Sequence, residues 1–366
     1  MQGACGRLMT TIHVDSSKKY DVIIDGGLLS RCGEIIRDTC GGNIAVIVSD
    51  DNVFALYGMD LTSRLEQNGY DVKSFVIEHG EKSKNTENLV ELLRFLAQNN
   101  VSRSDVICTL GGGVVGDFGA LAAGMFNRGM PLAAIPTSLL AMVDSSVGGK
   151  TAVDLPEGKN LVGMFYQPDV VLCDYELLGT LSPEFFADGM AEVIKYGVIS
   201  SESLFETLES SDGEDIRSLR DKDLVEKIIG ECVAIKRDIV GEDELDKGIR
   251  QLLNFGHTIA HGIEQQSGYT IFHGNAVASG MVSISRAYAA MGKCQPSVPE
   301  RIEAVVKKYG LPSELPFEPA ALSNAAIHDK KRMGKNITVV VPEKIGHGVL
   351  EKIPVEKMIE YIGVKK

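Results

Sequence analysis

The chain has 366 residues, more than one small core usually holds, so two domains are expected. A hydrophobic content of 44% suits a globular protein, and a net charge of −13 excludes a general nucleic-acid binder, which needs a basic face. Seven cysteines, odd in number and without CxxC spacing, exclude a disulfide framework or a zinc–thiolate site and fit a reducing compartment.

The start of the chain shows no signal-peptide pattern and no apolar run reaches membrane-spanning length, so the protein is expected to be soluble and cytoplasmic. Residues 21–24 and 44–49 read as strands, the second running into Asp50-Asp51. Residues 72–77 form another strand, and 85–98 have amphipathic helical spacing. Residues 105–110 make a strand that runs directly into Gly111-Gly112-Gly113, and 132–136 and 170–173 are short buried strands. Strands alternating with helices predict a largely parallel sheet covered on both faces. From about Leu181 helical periods dominate, at 183–197, 203–208, 224–240, 252–267, 276–291 and 299–309, with one late strand at 334–341. The expected division is an α/β domain over 1–180 and a mainly helical domain over 181–366.

Gly111, Gly113 and Gly116 formally satisfy GxGxxG between a strand and a helix. Glycines let the backbone approach a pyrophosphate, and the helix N-terminus favours anionic oxygens. The pattern departs from the dinucleotide fingerprint, because no acid ends the next strand; a ribose-binding carboxylate would have to come from upstream, with Asp50 the candidate and a plain turn aspartate the alternative.

Three of the seven histidines, His257, His261 and His273, fall within 17 residues. His257 and His261 are i,i+4 and share a helix face. Two histidines and a carboxylate with open positions make a catalytic zinc site. Glu192 is the candidate carboxylate, because it lies in an apolar stretch where a charge needs a partner. Lys195 follows it on the same face. Residues 136–150 combine an apolar middle with polar, flexible ends, and Lys159 and Asn160 follow soon after. A single lysine is ordinarily a solvated side chain; several cations with Asn160 and Asn254, including Lys236 and Arg250, would suit a phosphate and a carboxylate together.

On these residues the chain resembles the 3-dehydroquinate synthases over nearly its whole length, through residues 110–117, 128–129, 136–151, 158–168, 189–197, 250–264, 273–281 and 329–331. The resemblance implies a Rossmann-like NAD-binding domain, a helical zinc or cobalt domain, and an active site in the cleft between them. It implies conversion of 3-deoxy-arabino-heptulosonate 7-phosphate to 3-dehydroquinate and phosphate, by transient oxidation with NAD, phosphate elimination, reduction and intramolecular aldol closure, in aromatic amino-acid biosynthesis. The metal ligands carry over to Glu192, His257 and His273, with His261 facing substrate or supporting a ligand. The substrate set carries over to Lys150, Asn160, Lys195, Lys236, Arg250, Asn254 and one or both of Lys330 and Lys331. Asp144 would meet both the cofactor and substrate hydroxyls. Cofactor contacts are implied for Asp50, Glu81, Lys84, Gly112, Gly113, Val114, Asp117, Thr137, Ser138, Ser145, Lys150, Lys159, Thr180 and Leu181. Arg128 matches a residue that reaches the neighbouring subunit's phosphate site, which implies a homodimer. Ser138 stands where threonine is frequent, Ala260 and Gly262 invert the usual neighbours of His261, and Asn275 replaces a common glutamate. Two other readings are a related sugar-phosphate cyclase and a metal-dependent polyol dehydrogenase; the latter would have little use for the cations and would release NADH. A catalytically dead regulatory relative is a third, which the intact ligands and cations oppose.

Overall fold

The computed structural model describes residues 9–323 and 335–362. Its first element is an antiparallel pair, β1 (Thr10–Asp15) with β2 (Lys19–Asp25). Then come β3 (Ile44–Asp50), β4 (Asp71–Ile77), β5 (Val106–Gly111) and β6 (Leu132–Pro136). A hairpin of β7 (Lys150–Leu155) and β8 (Gly158–Phe165) precedes β9 (Val170–Asp174). The seven-stranded sheet runs β1-β2-β9-β6-β5-β3-β4, and every pairing after the first is parallel. Strands β5, β6 and β9 are buried at every position, as strands covered by helices on both faces must be. β1 instead alternates, which is why its short polar run, TTIHVD, escapes the sequence reading. The hairpin escapes it too, because its glycines and lysines read as a loop.

The chain forms two compact units: Met1–Thr180 with Asp221–Glu244, and Leu181–Arg220 with Leu245–Lys366. The expected helix near 224–240 is present as Lys222–Glu242, but it belongs to the first unit rather than to a domain running from 181 to the end. The reason is β1: the helix buries Val225, Ile228, Ile229, Cys232 and Val233, and it packs on the β1–β2 pair. Thr10 Oγ1 donates to Glu226 Oε1 at 2.6 Å.

The second unit is largely helical, with one antiparallel hairpin of β10 (Asn336–Lys344) and β11 (His347–Pro354). The helix Pro183–Ser200 starts on Ser182, whose Oγ accepts from Phe185 N at 3.3 Å. The helix expected over 252–267 is broken. Ile249–Asn254 is a 3-10 turn, and the α-helix begins at His257. Between them Gly256 has φ +80, and a Cβ there would meet Val277 O at 2.7 Å. The next helix starts at His273, earlier than expected, and runs to Ala290. Among the described residues no helix is long and apolar enough to cross a membrane.

Candidate active site

In the first unit, β5 ends at Gly111, and Gly112 is the N-cap of the helix Gly113–Met125. Gly111 O accepts from Thr137 N at 3.0 Å, which ties the turn to the end of β6. A Cβ on Gly112 would lie 3.4 Å from Ser138 Oγ, and one on Gly113 would lie 3.2 Å from Ser145 Oγ. Both serine hydroxyls therefore flank a turn whose amides face outward at a positive helix end. Val114 follows in the first turn of that helix. Ser49 pairs with Leu110, so Asp50 sits one residue further on, beside the glycine turn. Its carboxylate accepts from Val53 N at 2.9 Å, and burial pushes its carboxyl above the ordinary range. A cleft opens here, lined by Gly111, Gly112, Gly116, Asp117, Ser145 and Lys150 among others.

A polar network adjoins it. The buried Lys84 donates to Asp117 Oδ2 and to Asn160 Oδ1, both at 2.6 Å. Glu81 Oε1 lies 3.9 Å from Lys84 Nζ and 3.7 Å from Lys159 Nζ. Burial works against the Lys84 charge, but Asp117 and Glu81 together hold its ammonium above the ordinary value. Burial also raises the Asp117 carboxyl, and the Lys84 charge limits the rise. Asn160 adopts φ +57 on β8, with its N–H donating to Asp154 at 2.7 Å. From the helix Lys222–Glu242, the buried Lys236 reaches Asp144 Oδ1 at 2.5 Å.

The second unit holds a different cluster. Glu192 is fully buried on the helix Pro183–Ser200, and its carboxylate is ion-paired with the equally buried Lys195. His257 and His273, each the first residue of its helix, converge on the same carboxylate. Their Nε2 atoms lie 3.6 and 3.3 Å from Glu192 Oε1. One ligand atom from each of the three falls within 4.8 Å of the others. The outer ring nitrogens are also engaged: His257 Nδ1 is 3.1 Å from Phe255 O, and His273 Nδ1 is 3.3 Å from Glu264 Oε1. Burial pushes the His257 imidazole down to about 3, against the pull of Glu192. At His273 burial acts the same way, but Glu192 and Glu264 prevail and raise it to about 10. That field favours a positive species at Nε2, whether a proton or a cation. Two imidazoles and a carboxylate, with outer partners on both rings, form a donor set that fits zinc or cobalt and leaves positions open.

The remaining expected residues fall in varied places. Lys150 is exposed at the start of β7, on the cleft. Arg250 is buried and Asn254 half-buried on the 3-10 turn before Gly256. His261 is exposed, its ring 6.1 Å from that of His257. Arg128 is exposed, with φ +63 directly after Asn127 at φ +51. Thr180 Oγ1 is 2.7 Å from Tyr57 Oη, whereas Leu181 opens the second unit. Lys330 and Lys331 lie outside the described residues. Sequence reasoning passed over two acids beside His273, the half-buried Asp188 and the buried Glu264; Asp188 accepts from Gly274 N at 2.5 Å. The available signal was spacing: Asp188 lies one turn before Glu192, and Glu264 two turns after His257.

Comparison with known proteins follows the same two parts. The family model for the N-terminal part of 3-dehydroquinate synthase matches residues 74–188, and that for the C-terminal part matches 189–332. The 3-dehydroquinate synthase of Clostridium acetobutylicum is 42% identical over 365 residues, covering 97% of this chain and 100% of that protein. Among solved structures, 2-epi-5-epi-valiolone synthase from Streptomyces hygroscopicus, with NAD+ and Zn2+ bound, has a TM-score of 0.85 at 25% identity and covers 95% of this chain and 97% of its own. A 2-deoxy-scyllo-inosose synthase complexed with carbaglucose-6-phosphate, NAD+ and Co2+ shares the fold, with a TM-score of 0.85 at 24% identity, covering 96% and 98%. With two adjoining family models over most of its length and a relative of this identity aligned end to end, the chain belongs to the 3-dehydroquinate synthase family.

Proposed function

We propose that the chain carries out the family's reaction, 3-deoxy-arabino-heptulosonate 7-phosphate to 3-dehydroquinate and phosphate, with NAD held by the first unit and a divalent cation by Glu192, His257 and His273. The observation that carries the reading is the convergence of those three side chains, from three helices, within 4.8 Å. The presence of NAD+ with Zn2+ or Co2+ in structural neighbours supports it. When bound, NAD supplies a reversible hydride acceptor, and the cation supplies a Lewis acid for hydroxyl and carbonyl oxygens.

The protein's own residues do the rest. The amides at Gly112, Gly113 and Val114 take the pyrophosphate, with Thr137, Ser138 and Ser145 around the turn. Asp50 accepts from a ribose hydroxyl. Glu81, Lys84, Asp117 and Lys159 shape the adjoining wall, and Asp144 orients hydroxyls while Lys236 fixes its carboxylate. Lys150, Lys195, Lys236 and Arg250, with Asn160, Asn254 and His261, bind substrate and counter its phosphate and carboxylate. Once the substrate carries a carbonyl, the proton beside it is acidified, and its own phosphate is placed to take that proton as it leaves. The cations stabilise the departing charge, joined by Arg128 from a second copy of the chain. Ring closure then needs an enforced conformation more than a further acid or base. The test is incubation with the heptulosonate phosphate, zinc and substoichiometric NAD. Phosphate should be released over many turnovers with no net NADH. Conversion of the whole NAD supply to NADH, with turnover stopping there and no phosphate released, would instead assign a polyol dehydrogenase.

A further inference from the structure

We propose that Glu264 is a positioning residue for the cation site: its carboxylate fixes the tautomer and ring plane of His273, so that Nε2 presents its lone pair to the ion. The inference rests on the reading of Glu192, His257 and His273 as ligands.

A carboxylate and a backbone carbonyl only accept hydrogen bonds, so the nitrogen facing each must carry the proton. Glu264 Oε1 faces His273 Nδ1 at 3.3 Å, and Phe255 O faces His257 Nδ1 at 3.1 Å. Both rings are thereby set with Nε2 toward Glu192. The two are not held equally. The His257 side chain is 12% exposed and is gripped by its surroundings. The His273 side chain is 32% exposed and follows the exposed Phe272, so packing restrains its ring less. A hydrogen bond must supply the missing restraint, and the buried Glu264 is placed to supply it. It stands on the helix His257–Gln266, so one helix carries both a ligand and the outer partner of another ligand. The other acid nearby, Asp188, accepts from the backbone of Gly274 and fixes the start of the helix rather than the ring.

The experiment compares full-length wild type, H273A, E264A and E264Q. Zinc affinity is read by competition with a chromophoric chelator, and ring geometry by the visible absorption of the Co2+-loaded protein. Loss of such an outer partner typically weakens binding by about 10- to 100-fold, which is the expectation for E264A. E264Q keeps the volume and an accepting oxygen, so it should weaken zinc by less than about tenfold and still alter the Co2+ spectrum. NAD affinity should stay unchanged in both. E264Q carries the test if E264A does not fold. Wild-type zinc binding that is lost in H273A but kept within twofold in the Glu264 variants, with an unaltered Co2+ spectrum, would overturn this inference alone. A wild type that binds no zinc, or an H273A variant that binds it normally, would overturn the ligand reading beneath it.

Discussion

Lys195 and Glu192 form a charge pair with 1% and 0% exposure, inside a helix whose neighbouring positions are apolar. Removing one partner of such a pair strands the other, which typically costs about 3–5 kcal/mol. Lys195→Met keeps the volume and removes the charge, leaving the His257 and His273 rings to balance the buried Glu192 carboxylate. In metal-free protein the variant should lose stability of that order in chemical denaturation. Added zinc restores a positive partner, so the deficit should shrink; a deficit that zinc does not change would show that the cation does not bind at Glu192. These two residues were legible in the sequence because a charge inside an apolar run demands an explanation. Asp188 and Glu264 were not, because Asp188 sits in the first turns of its helix before a glycine and Glu264 precedes Gln265-Gln266, so each reads as an ordinary surface acid. Their significance depends on where His273 lands, and that is set by the packing of separate helices.

At the scale of elements, close backbone approach sets the ligand geometry. A Cβ on Gly280 would sit 2.3 Å from Gly256 O, and one on Gly274 would sit 2.1 Å from Asp188 O. Both obstacles are backbone, so neither can swing aside. The helix His273–Ala290 thus lies against the Gly256 turn and the helix Pro183–Ser200 only because these positions lack side chains. Gly280→Ala should destabilise the protein by about 1–3 kcal/mol through overpacking, and it should weaken zinc binding by displacing the segment that precedes His257. Gly230 is the contrast. It lies within the helix Lys222–Glu242, and a Cβ there meets nothing nearer than 3.8 Å. Gly230→Ala should stabilise by about 0.5–1 kcal/mol by reducing the freedom of the unfolded chain. Equal effects of the two changes on the urea midpoint would contradict this account. Sequence periodicity found most long helices and the buried strands. It missed the break at Gly256, a left-handed turn packed against the helix His273–Ala290, because helical spacing runs through the glycine without interruption.

For the whole molecule, the structure describes one copy, and Arg128 is the residue through which a second copy enters the proposed chemistry. It is exposed at the end of the segment Phe126–Arg128, where two successive non-glycine residues adopt positive φ. An ordinary surface arginine would tolerate replacement. If it contacts a phosphate across an interface, Arg128→Ala should lower kcat/KM by roughly 10- to 150-fold, the equivalent of about 1.5–3 kcal/mol. Mixing that variant with Lys150→Ala chains should restore activity, because a hybrid pair contains one site with both residues intact. Exchange of subunits, shown by mass, without recovery would place Arg128 in its own chain's site or outside any site. The family was legible from ordered motifs spread along the chain, whereas the membership of residues 221–244 was not, since helical spacing carries no information about which surface a helix covers.

That membership has a consequence for how the protein is made. Synthesis is directional, and the first unit is completed by a segment that leaves the ribosome only after residues 181–220 have been added. At about 5–20 residues per second those 40 residues impose a wait of roughly 2–8 s, during which the apolar surface later covered by Val225, Ile228, Ile229 and Val233 stays bare on the nascent chain. A gene fragment ending at Thr180 should therefore yield aggregated or dye-binding protein. Supplying residues 221–244 as a separate peptide, or fusing them after Thr180 through a flexible linker, should return it to the soluble fraction. A soluble, cooperatively melting 1–180 fragment would show that the late helix is dispensable to the unit it joins.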